Sequence, residues 1–291
     1  MAGTKEIKKR INSVKNTRKI TRTMEMVSTA KSKKLIDRVH AAQPYAQKLH
    51  EVMVSLSRAG GNVDSVYLQE VENPARVALL VVTANRGLCG GYNSNTLRMA
   101  RARLQVLQSQ GKAVDLFVVG KKGKSYFNFI GYEMKNTWLD IDDNFTYEQA
   151  EEICLFFMNQ FIGGVYDTIE VASVVYYSAG SQKPDITILL PMGMDKAEAG
   201  DDETLLQGLV DYDPEPDLLM EKMLPLAIKT HFYKILLEAV ASEQIFRRIA
   251  MKNATDAAGE MLKLLTRTYN RARQASITQE LAEIVAGADA L

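Results

Sequence analysis

Residues 35–56 read LIDRVHAAQPYAQKLHEVMVSL, and the apolar positions in this stretch decide the fold class. Leu35, Val39, Ala42, Ala46, Leu49, Met53 and Leu56 recur at intervals of 4, 3, 4, 3, 4 and 3. That is a heptad seam, the pattern of a long helix with an apolar stripe meant for a partner helix. Upstream, Ile7, Ile11 and Val14, then Ile20, Met24 and Val27, show the same spacing in a shifted phase. No glycine interrupts the run between Gly3 and Gly60, and Pro44 is its only proline. Pro44 removes one backbone hydrogen bond, so it predicts a bend. A helix over residues 1–58 spans about 80 Å, far more than an ordinary globular helix.

The other end of the chain behaves alike. After Pro225 there is no proline, and Gly259 is the only glycine before Gly287. Ala254, Ala258, Met261 and Leu265 follow a 4, 3, 4 spacing, with Leu262, Tyr269 and Ala272 on an adjoining apolar face. Alanines at 239, 241, 250, 257, 275, 282 and 286 permit close helix approach. Residues 217–288 therefore predict a second long helix. Two such helices can pair as an antiparallel coiled coil with a domain inserted between them. The alternative is two helices lying across the middle domain as ordinary cover.

The middle of the chain, residues 75–192, reads as α/β. Arg76–Val82 is a nearly continuous β-branched and apolar run, as expected of a strand buried on both faces. A helix to about Gln110, a strand over Val114–Val119 and a helix over Tyr147–Phe161 follow, the last capped by Thr146 with Gln149 three residues on. Thr168–Tyr177 and Ile186–Leu190 are further strand candidates. This alternation predicts a mainly parallel, Rossmann-like sheet with helices on its faces. Residues 193–216 are polar and acidic and predict a loop leading into the last helix.

Charge is distributed as unevenly as the breakers. The whole chain carries a formal +1, yet residues 1–50 hold 13 Lys and Arg against 3 Asp and Glu, whereas residues 51–214 hold 13 against 22. Near-neutrality is thus an average over unlike parts and does not exclude an anionic partner. The opening MAGTKEIKKR has no apolar core of a secretory signal, and no apolar run approaches the roughly 20 residues of a membrane span. Two cysteines, Cys89 and Cys154, cannot make a disulfide framework and point to a reducing compartment.

Groups that could carry chemistry are few. Gly87-Leu88-Cys89-Gly90-Gly91 lies between a strand and a helix, where it could cradle a nucleotide or form a tight turn needing positive φ. Gly120-Lys121-Lys122-Gly123-Lys124-Ser125 ends like a P-loop, but the position five before its second glycine is Val118, inside the strand. His40 and His50 are ten apart on one helix, too far for one metal site, and His231 stands alone. Cys89 could be a nucleophile or a small hydrophobe in the turn. No catalytic residue, cofactor or metal site is assigned.

The basic first helix, with Lys8, Lys9, Arg10, Lys15, Arg18, Lys19, Arg22, Lys31, Lys33 and Lys34, is compatible with phosphate neutralisation, a solvated exterior or an acidic protein collar. Residues 5–40 lack aromatic side chains, which argues against stacking on single-stranded nucleic acid.

Several motifs together resemble the gamma subunit of the F-type rotary ATP synthase in its bacterial form. The run Ala275-Ser276-Ile277-Thr278-Gln279-Glu280-Leu281-Ala282-Glu283-Ile284-Val285-Ala286-Gly287-Ala288 is similar to that family's C-terminal signature. Tyr269–Gln274, Ala254–Ala257, Lys5-Glu6-Ile7, Asn16–Thr21, Met24–Val27 and Arg86–Gly91 resemble its other motifs. The cysteine-bearing insertion of the chloroplast form is missing.

The resemblance implies a non-catalytic rotor shaft in a proton-translocating enzyme. Its terminal helices would turn inside a ring of three alpha and three beta subunits. The middle domain would form a foot with the epsilon subunit on the membrane c-ring, on the cytoplasmic face of the bacterial inner membrane. Nucleic acid is not among the implied partners, and the membrane is reached only through them. By matching position, Met24, Arg247, Gln274, Thr278 and Glu280 would contact beta subunits, and Tyr212 and Asp213 would face the c-ring. The competing reading from the residues is a nucleotide-binding α/β enzyme.

Overall fold

The computed structural model describes residues 4–58, 65–69, 71–193, 213 and 215–289. Two long helices lie at the two ends, α1 (Thr4–Arg58) and α5 (Pro216–Asp289). Between them run β1 (Arg76–Val82), α2 (Tyr92–Ser109), β2 (Ala113–Val119), α3 (Lys121–Phe129), β3 (Asn136–Trp138), α4 (Tyr147–Ile162), β4 (Thr168–Ser178) and β5 (Ser181–Leu190). The chain separates into two compact units, residues 31–246 and residues 1–30 with 247–291. The boundaries fall inside both long helices, so each unit contains part of α1 and part of α5.

The larger unit is built on a five-stranded sheet of order β3-β2-β1-β4-β5. The β1–β2, β1–β4 and β2–β3 pairs are parallel. β4 and β5 form an antiparallel pair, so the expected parallel character ends at this edge. β1 is buried from Val77 to Val82, as its unbroken apolar run requires. One sheet face packs Leu79, Val81, Leu116, Val118 and Ala172 against Leu97, Ala100 and Leu104 of α2 and Phe127 of α3. The other packs Leu80, Val82, Phe117, Ile169 and Val171 against α4, Leu35 and Val39 of α1, and residues 228–241 of α5. Phe117 centres an aromatic group there, 5.1 Å from Phe157, 5.7 Å from Phe156 and 6.0 Å from Tyr166.

The predicted seam of residues 35–56 is buried or half-buried throughout. Leu35 and Val39 contribute to the sheet core, whereas Leu49, Met53 and Leu56 pack with Met220, Leu224 and Ala227 of α5. The helix therefore both covers the domain and pairs with its partner helix. Burial of Leu49, Met53 and Leu56 stabilises by about 2 kcal/mol each relative to exposure. The helix continues through Pro44, which is exposed.

Three elements depart from the sequence reading. α3 follows β2 directly, because Gly120 takes a φ of 96° that turns the chain at once into the helix. β3 is only three residues long and carries no recognisable period. β5 begins at Ser181 and includes Pro184, which is tolerated because the strand lies at the sheet edge. Thr146 caps α4 as expected: its hydroxyl accepts from the Gln149 N–H, and the Gln149 side chain accepts from the Thr146 N–H. Most of the predicted acidic loop lies outside the described residues.

Candidate functional site

The two glycine-containing loops at the ends of β1 and β2 are tied to each other by side chains. Thr83 Oγ1 donates to the Val119 carbonyl at 2.8 Å and accepts from the Gly123 N–H at 2.9 Å. Asn85 Oδ1 accepts from the Lys121 N–H at 3.0 Å, and its amide donates to the Ile141 carbonyl at 2.8 Å. The Lys122 N–H donates to the Ala84 carbonyl. The first three amides of α3 are thereby satisfied within the chain, and these are the groups a helix N-terminus offers to a phosphate.

The glycines of this loop serve packing. A Cβ on Gly120 would sit 2.1 Å from the Thr83 carbonyl oxygen, and one on Gly123 would sit 2.7 Å from Val118 Cγ1. In the other loop, Asn93 Oδ1 accepts from the Ala84 N–H and its amide donates to Cys89 Sγ at 3.0 Å. Cys89 is buried, whereas Leu88 is exposed and held at a φ of 62°.

The remaining candidates for chemistry are dispersed. His40 stacks edge-on to Tyr176, and His50 is exposed. His231 is half-buried, and burial lowers its pKa to about 4. Cys154 is fully buried, and burial pushes its thiol up to about 12. Asp143 pairs with Lys31 at 2.5 Å. Burial alone would raise that carboxyl, but hydrogen bonds from Lys31 and its own backbone, with the charges of Lys31 and Arg86, hold it below the ordinary range.

The smaller unit is an antiparallel helix pair. Thr255 Oγ1 hydrogen-bonds Thr21 Oγ1 at 2.9 Å, and a Cβ on Gly259 would sit 3.6 Å from Arg18 Nε. In α5 the buried or half-buried face is Met251, Thr255, Ala258, Leu262, Leu265, Tyr269 and Ala272, spaced 4, 3, 4, 3, 4 and 3. This corrects the sequence expectation, since Met261 is 52% exposed.

In α1 the same correction applies to the shifted phase, because Ile20 and Val27 are exposed. Ile7, Ile11 and Val14 instead share one 4, 3 register with Thr21, Glu25 and Ser28, in which the exposed Arg18 holds one position. Polar residues occupy the middle of that seam, and they hide its continuity from an apolar count. Lys15, Arg18, Lys19 and Arg22 line a groove of about 790 Å³ with Thr23, Thr255 and Leu262, and Asp256 is its one acid.

Paired positions sum to 276 or 277 for Thr21–Thr255 and Arg18–Gly259, so the first residue of α1, Thr4, falls opposite residue 272 or 273. Beyond that point no described helix of this chain pairs with α5. Residues 273–286 are exposed at every position, and Ile277, Leu281 and Ile284 form an apolar stripe that is 48–68% exposed. Their 4, 3 spacing was visible in the sequence, but only the end of α1 reveals that nothing in this chain's described residues covers them.

Gln274 and Thr278 lie one turn apart on this exposed stretch, and Glu280 accepts a hydrogen bond from Ser276. Met24 is half-buried next to Glu25 in the helix pair. Arg247 is only 7% exposed. Asp213 is exposed, and Tyr212 lies outside the described residues.

Residues 3–291 match the ATP synthase family. The ATP synthase gamma chain of Leptospira biflexa is 50% identical, with the alignment covering 100% of both chains. That of Gemmatimonas aurantiaca is 42% identical over 100% of this chain and 99% of its own. Among solved structures, a chain of the Euglena gracilis mitochondrial ATP synthase (OSCP/F1/c-ring) shares the fold with a TM-score of 0.69 at 21% identity, covering 99% of this chain and 94% of that one. A rotor chain of the same enzyme gives 0.64 at 21% identity, over 94% and 98%. With full-length identity of this order to gamma chains from two bacterial groups, this chain belongs to the ATP synthase gamma chain family.

Proposed function

We propose that this chain is the central rotor shaft of a proton-translocating rotary ATP synthase, coupling c-ring rotation to ATP synthesis and hydrolysis in a ring of three alpha and three beta subunits. The observation that carries the reading is the last stretch of α5, whose Ile277, Leu281 and Ile284 stripe is exposed and covered by none of the described residues. An exposed apolar stripe on a charged helix marks an interaction surface. The surrounding subunits supply a collar for it, and the basic groove of Lys15, Arg18, Lys19 and Arg22 suits an acidic part of that collar.

The mechanism follows from asymmetry. A shaft with different side chains on each face makes different contacts with three chemically identical beta subunits. Each orientation then stabilises a different conformation, and hence a different nucleotide affinity, at each site. The chemistry of ATP belongs to the ring, and this chain contributes no catalytic group. Met24, Gln274, Thr278 and Glu280 touch beta subunits directly. Arg247, only 7% exposed, touches them through the part of its side chain that reaches the surface.

Residues 1–58 and 217–288 serve as the shaft, residues 75–192 as the foot with the epsilon subunit, and residues 193–216, with Tyr212 and Asp213, meet the c-ring. No described helix is long and apolar enough to cross a membrane. The complex sits at the cytoplasmic face of the bacterial inner membrane, and this chain reaches that membrane through its partners. Co-expression with alpha and beta subunits is the test. A stable complex that hydrolyses ATP supports the proposal, and failure of the subunits to assemble around this chain refutes it.

A further inference from the structure

The face of the sheet covered by α2 and α3 carries a charge pattern that the shaft function leaves unexplained. Residues 51–214 hold 22 acids against 13 bases, yet the sequences of α2 and α3 contain six Lys and Arg and no acid at all. Among the described residues, Arg103 is the one of the six that pairs with an acid, Glu170. Between the two helices lies a cleft of about 490 Å³ lined by Asn93, Ser94, Leu97, Arg98, Arg101, Lys122 and Tyr126.

Arg98 and Arg101 lie three residues apart on α2, and Lys122 and Tyr126 four apart on α3, so each helix turns one face to the cleft. Leu97 is buried and Tyr126 half-buried, giving the cleft an apolar, partly aromatic wall. Its cationic groups are exposed, and no acid lines it. The volume falls within the range of small-molecule sites.

We infer that this cleft binds a small organic polyphosphate of the nucleoside di- or triphosphate class. Arg98, Arg101 and Lys122 hold the phosphates, and Tyr126 with Leu97 receives the base. Guanidinium groups suit phosphate because their planar forks make paired, charge-assisted hydrogen bonds. An aromatic ring suits a base because every base presents a π-face. The cleft lies beside the glycine loops but does not use their amides, so it is unrelated to a P-loop. Its occupancy is independent of the rotor reading: a shaft can carry such a site on its foot as a sensor of free nucleotide.

The test is equilibrium dialysis of the full chain with ATP, inorganic tripolyphosphate and adenosine. ATP is expected to bind saturably, tripolyphosphate more weakly, and adenosine not measurably. R98A/R101A/K122A should weaken ATP by at least about tenfold. K15A/R18A/K19A/R22A, which removes the basic groove of the helix pair, should change it by less than about twofold. Y126A should weaken ATP while leaving tripolyphosphate unchanged.

Because the substituted side chains are exposed or at the rim, unchanged thermal midpoints will show that the variants fold. In the assembled complex, photolabelling with azido-ATP should place label on peptides from α2 or α3. The inference is overturned by absence of saturable ATP binding at millimolar concentration. It is equally overturned if binding is lost in the helix-pair variant instead, if adenosine binds as well as ATP, if an acidic peptide binds and excludes ATP, or if α2 and α3 stay unlabelled.

Discussion

Arg103 and Glu170 form a two-contact ion pair whose acid is buried in the sheet domain, and removing one partner should cost far more than removing both. Arg103 Nε lies 2.7 Å from Glu170 Oε2, and Arg103 Nη2 lies 2.5 Å from Oε1, a two-pronged contact. Glu170 is only 2% exposed on β4, on the face where Ala172 packs under α2 and α3. The hydrogen bond to Glu170 is the main cause of the raised arginine pKa.

Arg103→Met leaves a carboxylate in the core, which costs about 3–5 kcal/mol for a fully buried pair. The Arg103 side chain keeps 33% of its exposure, so water screens the pair and the lower end, about 3 kcal/mol, applies. Glu170→Leu should cost about 1 kcal/mol, since the arginine can carry its charge to solvent along an apolar stem. The double variant R103M/E170L should lie within about 1 kcal/mol of the parent, because two apolar groups replace the pair. The resulting coupling is about 3 kcal/mol.

Denaturant unfolding followed through Trp138, the only tryptophan, reports on this domain because the ring sits 6.2 Å from Phe117 in its core. A coupling below about 0.5 kcal/mol, or a double variant as unstable as R103M, would refute the reasoning.

Three further outcomes are expected. Gly120→Ala should destabilise the domain by about 3 kcal/mol or more, because its Cβ would meet the Thr83 carbonyl at 2.1 Å. Gly111→Ala, also at positive φ but facing open space, should cost about 1–2 kcal/mol, and thermal unfolding distinguishes the two. His231 remains neutral in the folded chain down to about 4 while its unfolded value is 6.5, so the unfolded state binds the extra proton between those limits. Stability is therefore lost as pH falls from 6.5 towards 4, by at most about 3 kcal/mol, and His231→Gln should flatten that part of a pH–stability curve. Finally, T21C/T255C should oxidise to a disulfide, because the two hydroxyl oxygens lie 2.9 Å apart. In the assembled enzyme the cross-linked shaft should retain ATPase activity, since both helices turn together; loss of activity that reductant restores would count against the rotor proposal.

Where burial follows apolar period, the fold was legible in the sequence. The Arg76–Val82 strand, the Thr146 capping box and the 35–56 seam all appear where the pattern puts them. Elements held by tertiary contact were not legible. α3 exists because Thr83, Ala84 and Asn85 satisfy its first amides, and no local propensity in KKGKSYFNF announces that. The shifted phase at Ile20 and Val27 was misleading for a related reason: Thr21, Ser28 and Thr255 take the interior positions that an apolar count assigns to their neighbours. The surface at Ile277, Leu281 and Ile284 was readable as a helix stripe, but its lack of cover depends on where α1 begins.

The polar middle of the helix pair fits a shaft that must carry torque. An unbroken apolar seam would bury more surface, yet it would also tolerate slippage, because moving one helix by a heptad replaces one aliphatic contact with another. Here a heptad shift would move Thr255 from Thr21 to Val14 or Ser28. At Val14 the hydroxyl pair is broken and two oxygens lose their mutual partner. Breaking that pair costs about 1 kcal/mol, and each further mismatched polar position adds to it. Polar residues in a helix seam lower stability while fixing register. Ile7, Ile11 and Val14 at the start of α1 supply the adhesion, and the polar stretch that follows supplies the register. Fixed register keeps the same side chains on the same face of the shaft through every turn, and the differential contacts that drive three identical subunits through three states depend on that constancy.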